Sequence, residues 1–448
     1  MRWTPAAGAT ESARSRCPPA VKPSGIGVTP GTPADHWAIH GLLRHVFQRP
    51  SLAEYQAQLD DPGYEPLDRL LIQRGRQIVA HLRLIHRDMR FGPLTLSTGW
   101  VAELATLPEY RCQGYASTLL AAAEQRLQDE GHALGLLRTD QPGFYGRRGW
   151  VVCGQPSSSA ASPQRILSCL SERNACRYDP FAMPRQRLHI RYLRHVEKVA
   201  LMRLYRDGTQ GAFGASLRRE SYWQWLITRR AYDHIYLAIE GSPQLELDDS
   251  LMPIVGYAVM KDGRIVEVMT AARRPDAGES MLSRACADAL ESDRREVRLE
   301  ASPDDPLHQT VLAAGGAFRA AGPEGRPVVM ARLFEPWRFL ALLEQLLIAR
   351  LDASGLGARC ELGLVVGERS YTLRVSANGV ELTLDRHGRS YVTCRPSQWV
   401  QLLLGHANVR QLVAAGRITA STQHAVDTAA VLFPQLPLWH PPLDDLPA

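Results

Sequence analysis

The sequence predicts an α/β (α+β) protein, with two successive mixed-sheet domains followed by a smaller α+β domain. Three observations point to this. From about Ile26 to Cys153, apolar spacing alternates between helical and strand-like in the order helix, hairpin, strand, helix, strand. A fainter copy of that order returns between Leu188 and Leu333. From Trp337 onward the order becomes helix, strands, helices, as in a small α+β domain.

In the first block, Ile39, Leu42, Leu43 and Val46 form one helical face over His36–Phe47. Leu70–Arg74 and Ile78–Ile85 read as strands joined through Gly75 and Arg76. Thr98–Leu107 is a further strand. A helix follows from about Gly114 to Glu130, with Ala116, Leu119, Leu120, Ala123 and Leu127 on one face and Gly131 placed to end it. Ala133–Arg138 is the next strand, and the polar, Pro-flanked stretch Gln155–Pro163 reads as a connector.

The second block has strand patterns at Ile235–Ile239, Ile254–Met260, Arg264–Met269 and Val297–Ala301, with a helix at Ser280–Glu291. The third begins with an apolar helix, Phe339–Leu351. Short strands follow at Glu361–Val366, Tyr371–Val375, Val380–Leu384 and Tyr391–Thr393, then helices at Trp399–Leu404, Val409–Ala415 and Ser421–Leu432. Residues 1–25, rich in Pro, Ala, Ser and Gly, read as a disordered leader. The domain boundaries expected are 26–160, 161–335 and 336–448.

Composition narrows the function. With 448 residues the chain exceeds a single core, and 45% hydrophobic against 22% charged residues is the profile of an ordinary globular protein. No apolar run approaches the ~18 residues that span a bilayer. No apolar region follows Arg14 and Arg16, so a cytoplasmic location is expected rather than secretion. A net charge of +6 without a basic block gives nucleic-acid binding little support. The eight cysteines show neither a C-x-x-C pair nor zinc spacing, so free thiols and no metal are expected.

The chemistry concentrates between Val101 and Trp150. The strand to Leu107 leads through Pro108, Glu109 and Tyr110 into Arg111-Cys112-Gln113-Gly114-Tyr115-Ala116, where the helix begins. Unpaired N–H groups and the helix dipole make such a turn an anion site. Gly114 and Ala116 keep side chains clear of an approaching pyrophosphate. By itself the loop reads equally well as an ordinary strand-to-helix turn. Further along stands Gly143-Phe144-Tyr145-Gly146-Arg147-Arg148-Gly149-Trp150.

Arg111-x-x-Gly114-x-Ala116 resembles the Q/R-x-x-G-x-G/A motif of the GNAT superfamily of N-acetyltransferases. Phe144-Tyr145-x-Arg147-x-Gly149-Trp150 resembles that superfamily's aromatic segment. Cys112 departs from the common Gly. The resemblance covers about residues 26–153 and implies acetyl-CoA as co-substrate, with no metal. It implies that Leu104, Ala105 and Thr106 pair with the pantetheine arm. Cys112, Gln113, Gly114, Tyr115, Ala116 and Ser117, after Arg111, would cradle the pyrophosphate, and Asp140 and Gln141 would touch the pantetheine. Tyr145 would be the general acid for the leaving thiolate; its alternative is a packing aromatic beside Phe144 and Trp150. A strand N–H near Leu104–Thr106 can supply the oxyanion donor. Glu103, His86 and Asp88 are candidate bases, each also readable as a solvated or ion-paired side chain.

The whole chain is similar to the enhanced intracellular survival (Eis) family, built of tandem GNAT-type domains and a sterol carrier protein-like domain. The matching features are the block order, the Phe144–Gly149 segment, Gly379-Val380-Glu381-Leu382, Leu402–Gly405, Ala415–Ile418 and the ending from Leu432-Phe433-Pro434 to Asp445. Thr270–Met281 lacks the pyrophosphate motif, so the second domain is expected to be degenerate. The resemblance implies that the terminal carboxylate, here of Ala448, enters the catalytic domain as base. It also implies a symmetric homo-oligomer such as a hexamer. The acceptor expected is a small polycationic amine of aminoglycoside or polyamine type, or a peptide or lysine amine. Acidic candidates near the first helices are Asp35, Glu54, Asp60 and Asp61. The alternative is an acetyl-CoA- or lipid-binding protein without turnover.

Overall fold

The computed structural model describes residues 27–154, 157–176, 187–194, 197–241, 253–319, 327–384 and 388–446. The expected leader and Ala448 therefore lie outside the described residues. The chain forms two compact units. One is Met1–Pro50, Glu65–Arg83 and Glu103–Ala123; the other is Ser51–Tyr64, Leu84–Ala102 and Glu124–Ala448. No described helix is long and apolar enough to cross a membrane.

The first elements are β1 (Thr29–Pro30), α1 (His36–Phe47), α2 (Leu52–Leu59), β2 (Arg69–Arg74), β3 (Gln77–Phe91), β4 (Leu94–Thr106), α3 (Tyr115–Asp129), β5 (Leu134–Thr139), α4 (Pro142–Gly146) and β6 (Val151–Gly154). In the first unit β1 pairs antiparallel with β2, and β2 with the start of β3, turning at Gly75 as the sequence predicts. Ile39, Leu42 and Leu43 of α1 are buried there, as are Leu119, Leu120 and Ala123 of α3. In the second unit Thr98–Val101 of β4 runs parallel to Leu134–Leu137 of β5. Gly99 lets α3 approach, since a Cβ there would overlap Leu127.

The chain continues with β7 (Ser158–Ala161), α5 (Pro163–Cys176), β8 (Leu188–Tyr192), α6 (Lys198–Gly208), β9 (Phe213–Ser216), α7 (Glu220–Thr228), β10 (His234–Glu240), β11 (Ile254–Lys261), β12 (Arg264–Thr270), α8 (Asp276–Glu291), β13 (Val297–Leu299), α9 (Leu307–Ala313), β14 (Ala317–Arg319) and β15 (Val328–Leu333). A seven-stranded sheet has the order β14-β7-β13-β12-β11-β10-β8. Its strand β7 occupies the stretch expected to be a connector. The last strand, β15, leaves this sheet and inserts between β5 and β6, antiparallel to both.

The third region holds α10 (Pro336–Leu342), α11 (Glu344–Ser354), β16 (Arg359–Val366), β17 (Arg369–Ser376), β18 (Gly379–Leu384), β19 (Tyr391–Cys394), α12 (Pro396–Leu403), α13 (Val409–Ala414), β20 (Thr419–Ala420) and α14 (Gln423–Leu432). The expected helix Phe339–Leu351 is two helices broken at Leu343. Phe339, Leu340, Leu347 and Leu351 are buried on either side of the break, so the apolar pattern does not reveal it. The sheet order is β18-β17-β16-β19-β20. One core runs from Phe91, Leu136 and Val151 through Phe339 and Leu347 to Leu364 and Trp399.

Candidate active site

In the first unit the turn before α3 combines two left-handed residues, Cys112 (φ 61°) and Gly114 (φ 87°). The first N–H groups of α3, which follow these two left-handed residues, have no acceptor within the helix. Arg111, Cys112 and Gln113 are exposed, while Ala116 and Ser117 are half-buried. The turn is braced from behind. Buried Tyr115 accepts a 2.8 Å hydrogen bond at Oη from Arg74 Nε, and Arg111 Nε donates to the Thr106 carbonyl at 3.4 Å. The turn is thus held by residues of its own unit while Arg111, Cys112 and Gln113 stay exposed, where an anion can reach it. Cys112 is disulfide-bonded, which corrects the expectation that all thiols are free.

The β4–β5 ladder ends at Val101 and Leu137. Two residues later Glu103 takes φ 53°, a conformation costly for a side chain with a Cβ. In the first unit a buried cluster holds it. Arg69 Nη1 donates to Glu103 Oε2 (2.9 Å) and meets His81 Nε2 (3.1 Å), while His81 Nδ1 lies 3.1 Å from the Glu103 carbonyl. Arg69 can only donate, so His81 accepts at Nε2 and donates from Nδ1. Burial, then the Arg69 charge, pushes the His81 imidazole down to about 3, which keeps it neutral. Burial alone would raise Glu103, but Arg69, Arg83 and His81 together bring it below its ordinary value. Glu103 is therefore an ion-paired anchor of the strand and a poor base. Leu104, Ala105 and Thr106 follow it, with Ala105 buried and its neighbours half-buried.

In the second unit α4 carries Phe144 and Tyr145. The Tyr145 ring lies edge-on to Phe144 (4.9 Å) and to buried Trp150 (6.3 Å). Trp150 is fixed by a 2.6 Å bond from Nε1 to Glu124, which also pairs with Arg332. Arg148 stacks on Phe144 at 3.9 Å. The Tyr145 hydroxyl meets no hydrogen-bond partner among the described residues. Burial, then the Asp140 charge, pushes its phenol up to about 12. Asp140 and Gln141 are exposed, and the Gln141 N–H donates to Thr139 Oγ1 at 2.9 Å.

The other acidic and basic candidates are spent on local structure. Asp88 faces Arg219 at 3.6 Å, and the His86 ring stacks on His132. Asp35 caps Thr32, Glu54 completes a capping box with Ser51, Asp60 accepts from Gln56, and Asp61 pairs with Arg87.

A cavity of about 490 Å³ opens in the second unit. Trp100, Leu134, Leu136 and Leu438 form apolar wall, and Arg138, Arg264, Arg298, Glu300, His440 and Asp445 bring polar groups. The C-terminal segment lines one side. The Trp439 N–H donates to the Phe213 carbonyl at 2.8 Å, and Trp439, Leu443 and Leu446 are buried. Asp445 pairs with Arg138 (3.1 Å) and His440 (3.2 Å), and the His440 ring lies 4.5 Å from Trp100. Asp444 accepts from Arg218 (2.9 Å), whose other nitrogens grip Glu267 at 2.8 and 2.6 Å. Only Pro447 and Ala448 beyond it lie outside the described residues.

Residues 28–153 match the acetyltransferase (GNAT) domain family, and residues 364–441 match the sterol carrier protein domain family. The chain carries a GNAT domain and a C-terminal sterol carrier protein domain. Comparison with curated protein sequences gives no match. Solved structures share the fold along nearly the whole chain. A GCN5-related N-acetyltransferase from Anabaena variabilis is 18% identical with a TM-score of 0.67, over 93% of this chain and 99% of that one. One from Kribbella flavida is 18% identical with a TM-score of 0.65, over 93% and 97%. Eis1 from Mycobacterium abscessus is 16% identical with a TM-score of 0.59, over 91% and 97%.

The N-terminus of α8, in the second block, carries its own ion pairs. Arg274 binds Asp276 at 3.0 and 2.8 Å and Glu240 at 2.5 Å, so carboxylates occupy this helix start. Sequence reading missed Trp100, Arg138 and His440 as cavity residues. Arg138 was legible only as the last residue of an apolar strand, and its partner Asp445 lies some 300 positions away.

Proposed function

We propose that this chain is an acetyl-CoA-dependent N-acetyltransferase. The supporting observation is the braced, solvent-exposed turn Arg111–Gly114 at the start of α3 within a matched GNAT domain. Arg111 through Ser117 hold the pyrophosphate, and Leu104, Ala105, Thr106, Asp140 and Gln141 receive the pantetheine arm. The amine nitrogen attacks the thioester carbonyl, a strand N–H of Leu104–Thr106 holds the oxyanion, and the C–S bond breaks. Most of the acceleration comes from holding amine and thioester together.

Tyr145 serves the leaving sulfur. A phenol near 12 is fully protonated at neutral pH. A simple thiol titrates near 8.5, so complete transfer to the thiolate is uphill by roughly 5 kcal/mol. The phenol therefore acts first as a hydrogen-bond donor to the forming thiolate, which takes its proton fully as CoA leaves. The base is the terminal carboxylate of Ala448, which takes the ammonium proton of the tetrahedral intermediate. Support comes from the docked segment before it, which lines the cavity down to Leu446. The second GNAT-like domain, 161–335, does not bind the co-substrate.

The cavity charges bear on the acceptor. Three arginines face two carboxylates there, and Glu300 and Asp445 are already paired with Arg264 and Arg138. That balance supports an amine on an apolar body, such as a peptide or lysine amine, better than a small polycation. We further propose a homo-oligomer, testable by light scattering, and a cytoplasmic location.

The test is thiol release from acetyl-CoA across aminoglycosides, polyamines and peptides, with Tyr145→Phe as control. Turnover with one class, much reduced in the variant, is expected. Acetyl-CoA binding without turnover on any class would replace the enzyme with a binding protein. Residues added after Ala448 should lower turnover and leave acetyl-CoA affinity intact; unchanged turnover removes the terminal base.

A further inference from the structure

Away from this site, three side chains of the second unit converge on one point. His86 lies on β3. Glu130 and His132 flank Gly131, whose φ of 81° turns the chain back after α3. His86 Nδ1 and His132 Nε2 are 2.9 Å apart. Glu130 Oε2 lies 3.6 Å from the first and 3.7 Å from the second. The last two distances are too long for hydrogen bonds, yet they are nearly equal. We propose that His86, Glu130 and His132 form a binding site for a divalent transition metal of the zinc type.

The triangle has the dimensions of one face of a coordination tetrahedron. Ligand atoms bound to zinc at ~2.0–2.1 Å stand about 3.4 Å apart, and the three separations here scatter around that value. A point about 2.1 Å from all three atoms lies roughly 0.7 Å out of their plane, as in a tetrahedral site with its fourth position open. Two imidazoles and one carboxylate suit zinc and its neighbours better than calcium or magnesium.

The outer partners of a metal site are present as well. Ser97 Oγ sits 2.9 Å from His132 Nδ1, and by accepting the proton there it turns the Nε2 lone pair toward the centre. Arg126 Nε donates to Glu130 Oε1 at 2.7 Å, which leaves Oε2 facing the imidazoles. His86 and Glu130 keep about a third of their side-chain surface exposed, so an ion can enter from solvent. His86 lies 46 positions before His132, which hides the set from any zinc spacing pattern.

The test uses the full chain freed of metal by a chelator and then titrated calorimetrically with Zn²⁺, with Co²⁺ substitution as a second readout. One tight equivalent, a tetrahedral Co²⁺ visible band and a Zn²⁺-dependent rise in Tm are expected. His132→Ala should abolish the tight equivalent. Ser97→Ala should weaken it about 10-fold while leaving the metal-free Tm unchanged. Should His132→Ala fail to fold, Glu130→Gln carries the same prediction on the exposed side of the site. Absence of a tight equivalent overturns the proposal and leaves an imidazole–imidazole hydrogen bond. So does a tight equivalent that survives both ligand substitutions, which would place the ion elsewhere. Neither result bears on the acetyltransferase reading.

Discussion

Replacing Asp445 with Asn probes how the C-terminal segment is held beside the cavity. The carboxylate sits between Arg138 at 3.1 Å and His440 at 3.2 Å. Burial would raise its pKa, but His440 and then Arg138 pull it from 3.8 down to about 2. A shift of that size corresponds to at most about 2.5 kcal/mol between charged and neutral forms. The side chains of Asp445 and Arg138 are 28% and 35% exposed, so solvent screening reduces this to about 1–1.5 kcal/mol. The depressed carboxyl contributes above pH ~4 and loses its contribution as pH falls toward 2. His440 is raised, so its contribution is full below about pH 6.5 and fades as pH climbs through its folded value. The latch is thus strongest between roughly pH 4 and 6.5. Hydrogen exchange of the Asp444 and Trp439 amides, bonded to the carbonyls of Pro441 and Phe213, reads the opening. In Asp445→Asn at pH 6 their protection should fall about 5- to 10-fold, with Leu373 in β17 unchanged. Equal protection in variant and parent would refute the assignment of this pair as a latch. A matching loss at Leu373 would show global rather than local destabilisation.

Other outcomes follow from the same geometry. Tyr145→Phe should lower kcat by about 10²- to 10⁴-fold with acetyl-CoA affinity retained. In the parent, with the phenol at about 12, the rate should climb as the amine deprotonates and show no descending limb up to pH 10, as stopped-flow thiol release can check. Gly114→Ala forces a Cβ into φ 87° and should cost about 1–2 kcal/mol, read as roughly 10-fold weaker acetyl-CoA binding in calorimetry. Arg218→Met leaves Glu267 and Asp444 buried without their counter-ion and should destabilise the fold by about 3–5 kcal/mol in urea unfolding, with Asp444→Asn much milder.

The sequence carried the local half of this structure. Helix α1, the β2–β3 hairpin and α3 follow from the spacing of Ile39, Leu42, Leu43, Leu119, Leu120 and Leu127, because each pattern is complete within its own element. Strand β7 was hidden because Ser158-Ser159-Ala160-Ala161 lacks the β-branched and aromatic residues that mark strands. Its small side chains have a tertiary cause. Ser159 is buried and bonds His308 at 2.7 Å, and Gly316 packs against the Ala160 carbonyl too closely for a Cβ. The insertion of β15 between β5 and β6 was equally hidden, since Val328–Leu333 has the same strand pattern whichever sheet it joins. Of the site, the turn at Arg111–Gly114 and the aromatic Tyr145 were visible as motifs. The buried Arg69–His81–Glu103 cluster was not, because no local pattern announces that three polar residues share one buried point.

The groups that hold the C-terminal segment come mostly from the second block of the chain. Asp444 is bound by Arg218, which follows β9 and is itself oriented by Glu267 of β12. The Leu443 carbonyl is bound by Arg229, just after α7, and Trp439 by the Phe213 backbone of β9. Tyr205 and Trp223 stack on the Arg218 guanidinium at 4.0 and 4.9 Å, so that arginine is fixed on every side. Every one of these partners belongs to the second block, whereas Arg138 and Trp100, which meet Asp445 and His440, belong to the GNAT domain. The sheet that carries Glu267 on β12, with Arg218 just after β9, can thus seat this segment. That sheet therefore gives the described end of the chain, down to Leu446, a fixed seat beside the cavity.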